Sequence, residues 1–156
     1  MHPEFSRHLE TLHPSLERLL GSDPLRYSDL ARASLPQSGV YLFTEDGRHL
    51  YVGRSNSVKK RLQNHCGPSS GENKAAFAFL LTRDHTNNVK PSYRSEGSRK
   101  HLMTLPDFRD AFATQKARLL TMDIRVVEEP NPYRQAMLEM YAAVALGTPF
   151  NRFDNH

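Results

Sequence analysis

The chain has 156 residues, 38% of them apolar and 24% charged. That is length for one domain of ordinary size and enough apolar material for a core, which excludes wholesale disorder. The formal net charge is +4, and the single cysteine, Cys66, excludes an internal disulfide. No run approaches the ~18 apolar residues of a bilayer-spanning helix; the longest candidate, Ala136 to Leu146, is interrupted by Glu139. Met1-His2-Pro3-Glu4 has no basic segment leading into an apolar one, so no secretory signal is expected. These features predict a soluble, cytoplasmic protein of a reducing compartment, with no membrane partner.

The charge is uneven. Residues 48–100 hold 11 basic and 3 acidic side chains, whereas the segments on either side are slightly acidic. A local excess of this kind is the footprint of a polyanion binder, or else a solvated basic face.

In chain order, Phe5, Leu9, Leu12, Leu16 and Leu19 recur at spacings of three and four, which predicts an amphipathic helical segment over 4–20. Pro14 inside it predicts a kink or two short helices. Ser28 could cap a short turn of helix through Ala33. Gly39 to Thr44 is β-branched and aromatic, Glu45-Asp46-Gly47-Arg48 is turn chemistry, and His49 to Gly53 is a second strand. Together they predict a hairpin. Tyr41 and Phe43 then share a face, and suitable register puts Tyr51 on the same side.

Asn56 or Ser57 can cap a helix from Val58 to about His65, with Val58 and Leu62 facing a core and Arg61 and His65 one turn apart. A second, mostly apolar helix is predicted from Glu72 to Asp84. Residues 85–101 are polar and basic and read as a long loop. Thr104 and Asp107 suggest a capping box opening a helix to about Leu120. Ile124 to Val127 is a third strand. Asn131-Pro132 caps and opens a helix that Gly147 ends after Leu146.

The hairpin therefore carries Gly39-Val40-Tyr41, nine intervening residues, then Tyr51-Val52-Gly53, with Arg61 eight residues past Gly53. Glu139 follows in a late helix, and Asn151 in a Pro-Phe-Asn turn. In this order and spacing the chain resembles the GIY-YIG nuclease family, over about residues 39–153. Val stands for Ile in both tripeptides, and Arg54 stands where many members have Lys.

The resemblance implies an α+β fold: a small, three-stranded, mainly antiparallel sheet flanked by helices. Residues 1–38 would be an N-terminal helical extension packed on that core, and the basic loop at 85–101 an insertion outside the resemblance. A stand-alone single-domain member is expected. The resemblance places Tyr41 and Tyr51 on the active-site face and Arg61 on the scissile phosphate. It puts His65 at a position that is His or Tyr in several branches, makes Glu139 the ligand of one divalent cation, and has Asn151 orient its neighbours. It implies an endonuclease hydrolysing DNA by in-line water attack, leaving 3′-hydroxyl and 5′-phosphate ends.

The chemistry of the residues agrees. A guanidinium can relieve charge on phosphoryl oxygens as a fixed bidentate donor. A hard carboxylate oxygen suits Mg²⁺ or Mn²⁺, which can polarise the phosphate and stabilise the leaving oxygen. A free phenol, with pKa about 10, is a poor base at neutral pH. Tyr41 would therefore contact the attacking water, and His65 would accept its proton; either could be the formal base. Arg48, Arg54, Lys59 and Lys60 would grip phosphates without reading sequence. Tyr93 could stack a base beside Arg94 in the 85–101 loop. Taken singly, each residue has a plainer role: packed strand tyrosines, exposed helix cations, or an ion pair of Glu139 with Arg134 or Arg152. The alternative as a whole is a non-cleaving nucleic-acid-binding or accessory module.

Overall fold

Asp46 and Gly47 both take positive φ, 49° and 76°, and so form the tight primed turn that twists a hairpin correctly. This hairpin is the centre of a computed structural model that describes residues 1–88 and 96–153. Lys90, Tyr93 and Arg94 lie outside the described residues. The elements in chain order are α1 (Pro3–Glu10), α2 (Leu12–Gly21), a 3-10 turn (Tyr27–Asp29), β1 (Gly39–Glu45), β2 (Arg48–Ser55), α3 (Val58–Cys66), α4 (Ala76–His85), α5 (Arg99–Leu102), α6 (Pro106–Leu119), β3 (Asp123–Glu128) and α7 (Pro132–Leu146). The fold class is α+β. No described helix is long and apolar enough to cross a membrane.

The chain forms two units, one of residues 1–61 with 122–156, the other of residues 62–121. In the first, the sheet is antiparallel with strand order β2-β1-β3. Side chains alternate across it. Val40, Leu42, Val52 and Val127 form one core with Leu12, Leu16 and Leu19 of α2 and Leu138 and Ala142 of α7. This packing fixes the register, because a one-residue slip would turn the apolar set outward. The helical break predicted at Pro14 falls instead at Thr11, whose hydroxyl donates to the His8 carbonyl at 2.7 Å. Pro14 is tolerated because it sits in the first turn of α2, where its missing N–H has no helical acceptor to lose. Phe5, counted in the apolar stripe, is 47% exposed, and α1 buries no residue.

The second unit is held by aromatic packing. The Phe79 ring lies 5.4 Å from Phe108 and 6.4 Å from Phe112, centroid to centroid. The Arg99 and Arg83 guanidinium groups stand over Phe79 at 4.6 and 5.3 Å. The mostly buried Lys116 donates to the carbonyls of Pro68 and Ser70. Three expectations change here. The helix predicted from Glu72 begins at Ala76, because Lys74 and Ala75 N–H close a turn onto the Gly71 carbonyl. No Thr104–Asp107 capping box forms. Pro106 opens α6, which puts Asp107 in its first turn, and Thr104 donates to the His101 carbonyl at 2.6 Å instead. The loop predicted to run through residue 101 gives way to the short α5 from Arg99, capped by Ser98.

Candidate active site

The register of the hairpin decides what its two tripeptides present. Tyr41 pairs with Gly53, and Phe43 with Tyr51, so both tyrosines project from the face opposite the Val40–Leu42 core. Tyr41 and Phe43 meet edge-on at 89°. Each tripeptide glycine answers a steric demand. A Cβ on Gly53 would lie within 2.7 Å of Tyr41 Cε2 and closer still to its hydroxyl, because the phenol ring lies across the glycine. A Cβ on Gly39 would collide with the Val127 carbonyl on β3. The glycines thus let the Tyr41 ring and the third strand close on the hairpin.

Arg61 reaches the same face from the first turn of α3. That turn is fixed by two backbone bonds: Val58 N–H donates to the Gln37 carbonyl at 3.0 Å and Arg61 N–H to the Ser57 carbonyl at 2.9 Å. The guanidinium of Arg61 donates a hydrogen bond to the Tyr41 phenol.

Glu139 arrives from α7. Asn131 caps this helix through Oδ1, which accepts from the Tyr133 and Arg134 N–H groups, and Gly147 ends it at φ 61°. Gln135, one turn before Glu139, is buried and donates through Nε2 to Asn56 Oδ1 at 3.0 Å and to the Glu129 carbonyl at 2.7 Å. Gln135 and Glu139 therefore share one face of α7, and that face meets the β2–α3 connection at Asn56 and Arg54. Arg54 Nε donates to Glu139 Oε2 at 3.0 Å. The ion pair expected with Arg134 or Arg152 is made by Arg54 instead. Arg134 spans both oxygens of the buried Glu129, at 3.0 Å each.

Asn151 grips the backbone of β2. Its Oδ1 accepts the Val52 N–H at 2.8 Å and its Nδ2 donates to the Val52 carbonyl at 2.7 Å. Thr148 Oγ1 donates to the same Oδ1, and Phe150 N–H donates to the Leu50 carbonyl. Val52 lies between the two motif residues Tyr51 and Gly53, so Asn151 positions the strand that carries them.

Electrostatics tie these groups together. Burial pushes the Tyr41 phenol well above its usual value of 10, and the neighbouring Tyr51 and Glu139 push the same way, while Arg61 opposes them. Tyr51 is also raised, first by burial and then by Glu139, again against Arg61. Burial raises the Glu139 carboxyl, and the Arg54 guanidinium draws it back. Glu139 is thus within electrostatic reach of both tyrosines. The Tyr41 shift has a consequence for stability. Its folded value lies above its unfolded one, so its contribution is present below about pH 10 and is lost as pH rises beyond that. Denaturant titrations of wild type and Tyr41→Phe above pH 10 are expected to show a shallower alkaline loss in the variant; equal slopes would contradict the buried neutral phenol.

The remaining predicted residues are distributed differently. His65 belongs to the second unit and is fully buried, not a surface histidine. Arg48 and Lys60 are exposed. The Lys59 ammonium donates to the Ala31 and Ala33 carbonyls at 3.1 and 3.4 Å. Arg83 and Arg99 also donate to carbonyls, of Gly97 and Glu72. Much of the basic excess of residues 48–100 therefore serves internal contacts. The sequence reading missed the Gln135–Asn56 bond; its signal was a polar residue four before Glu139, on the same face of the helix.

Among the described residues no three His, Cys, Asp or Glu side chains converge as a metal cage. The donor set still fits a hard divalent ion. Glu139 offers a carboxylate whose side chain is 22% exposed, and Mg²⁺ takes one or two carboxylates, several waters and substrate phosphate oxygens.

A three-stranded antiparallel sheet thus carries two tyrosines on one face, with an arginine bonded to the first and a carboxylate within electrostatic reach of both. Residues 37–102, less than half of the chain, match the family described as GIY-YIG catalytic domain. Glu139 and Asn151 lie beyond the matched span. The chain is also similar to UvrABC system protein C of Maricaulis maris (strain MCS10), 39% identical over 57 residues. That stretch is 36% of this chain and 9% of the relative, so the chain corresponds to a small part of that protein's length. No solved structure matches.

Proposed function

We propose that the protein is a divalent-metal-dependent endonuclease that hydrolyses DNA phosphodiesters by in-line attack of water, leaving 3′-hydroxyl and 5′-phosphate ends. The observation that carries this reading is the pair of tyrosines on one face of the hairpin, with Arg61 and Glu139 both close enough to shift the ionisation of each phenol. Arg61 grips the scissile phosphate and offsets the charge that develops on its oxygens. Tyr41, neutral and buried, orients the attacking water through its hydroxyl rather than keeping the proton. His65, one helical turn past Arg61 on α3, is the acceptor of that proton in this reading. Glu139 holds one Mg²⁺ or Mn²⁺, which supplies Lewis-acid polarisation of the phosphate and stabilisation of the leaving oxygen. Arg48, Arg54 and Lys60 contact flanking phosphates; Lys59 serves less, since its ammonium already meets two carbonyls. Tyr93 and Arg94 would extend this grip. The activity acts on DNA in the cytoplasm.

Purified protein incubated with labelled single-stranded, duplex and branched DNA is expected to cut in Mg²⁺ or Mn²⁺ and to stop in EDTA, with affinity falling steeply as salt rises. Salt-sensitive binding without cutting under any condition would instead establish the non-cleaving module.

A further inference from the structure

We propose that Arg54 is a cation gate on Glu139: its guanidinium holds the carboxylate until a DNA phosphate draws it away, so that metal and substrate enter together. The inference deepens the reading of Glu139 as a metal ligand and rests on it. Arg54 Nε and Glu139 Oε2 are 3.0 Å apart, so the guanidinium occupies an oxygen that an ion would need. A guanidinium and a divalent cation on one carboxylate exclude each other by space and by charge. The Arg54 side chain is 45% exposed, against 22% for Glu139, so the arginine can turn outward while the carboxylate stays fixed. Glu139 is fixed by its helix, which Gln135 bolts to Asn56 one turn earlier. Arg54 follows Gly53 on the outer strand β2 and pairs with Val40, so its side chain leaves toward α7 and meets the carboxylate there. A phosphodiester is the natural competitor for it, because the planar fork of arginine meets phosphate oxygens as well as carboxylate oxygens. A phosphate arriving at the site thus removes the resident cation and adds oxygen ligands beside the vacated carboxylate. By linkage, DNA must then raise metal affinity and metal must raise DNA affinity by the same factor.

The test reads metal binding directly. Free Mn²⁺ is titrated by electron paramagnetic resonance against wild type, Arg54→Gln, Arg54→Met and Glu139→Gln, with circular dichroism confirming each fold. The titration is repeated with a cleavage-resistant phosphorothioate oligonucleotide. Without DNA, both Arg54 variants are expected to bind Mn²⁺ roughly fivefold more tightly than wild type, as befits the loss of a partly exposed ion pair. Glu139→Gln is expected to lose the site. The oligonucleotide is expected to tighten Mn²⁺ binding in wild type and to do so much less in the Arg54 variants. Equal affinity in wild type and both Arg54 variants, with the site lost in Glu139→Gln, would overturn the gate and leave Glu139 as the ligand. Equal affinity in all four proteins would overturn the metal reading of Glu139, and the gate with it.

Discussion

Arg61→Ala is expected to lower the turnover of DNA cleavage by about 10²–10³-fold, the usual loss when one preorganised donor to a developing oxyanion is removed. The change should fall on kcat more than on KM, because charge on the phosphoryl oxygens grows toward the transition state. Arg61 also donates to the Tyr41 phenol and is the group that opposes the upward push on both tyrosines. Its loss therefore leaves two buried phenols facing Glu139 without the compensating positive charge. Arg61→Lys should recover little, since a point charge cannot meet a phosphate and a phenol together as the fork does. Single-turnover rates on a labelled strand give the answer. An Arg61→Ala protein that cuts at the wild-type rate would remove the guanidinium from the mechanism.

Gly53→Ala is expected to destabilise the hairpin by overpacking it against Tyr41. The new Cβ would sit inside the Tyr41 ring, whose hydroxyl, Cζ and Cε2 all lie within its contact distance. Neither side can give way cheaply. Tyr41 is almost fully buried and bonded to Arg61, and the glycine backbone is locked in a ladder between Tyr41 and the rest of β2. Overpacking of this kind costs about 1–3 kcal/mol, and here it also displaces the residue proposed to orient water. Urea unfolding should show a lower midpoint with an unchanged slope, together with a loss of cleavage beyond the loss of folded protein. On a Tyr41→Ala background, itself less stable and inactive, adding Gly53→Ala should cost little further stability. A full additional loss there would mean that the collision is not the cause.

These two residues show why the hairpin was legible. Asp46-Gly47 between alternating β-branched and aromatic residues has one good conformation, and the same alternation puts Tyr41 and Tyr51 on one face. The ends of α7 were equally plain, because Asn131-Pro132 and Gly147 act through local backbone geometry. What escaped the sequence is long-range. Arg54 and Glu139 are 85 residues apart, and Val52 and Asn151 are 99 apart. Nothing local to either partner says that they meet. A charge near a motif looks like a phosphate contact whether it faces solvent or a carboxylate, so Arg54 was read by its neighbourhood rather than by its partner. Lys59 was likewise read by its neighbourhood, and the carbonyl acceptors that its ammonium meets leave no trace in composition. His65 was treated as available because polar helix positions usually are; its burial depends on the packing of the second unit, which periodicity does not reveal.

The amide of Asn151 has one more implication. β2 is an outer strand of the sheet, and Val52 turns its donor and acceptor toward Asn151. One side chain supplies what a further strand would, but it offers no ladder that can be extended. Exposed strand margins are templates on which other molecules stack. A tail shortened before Asn151 would uncover such a template next to the catalytic motif. The same amide that steadies the strand carrying Tyr51 thereby also blocks that margin to a further strand.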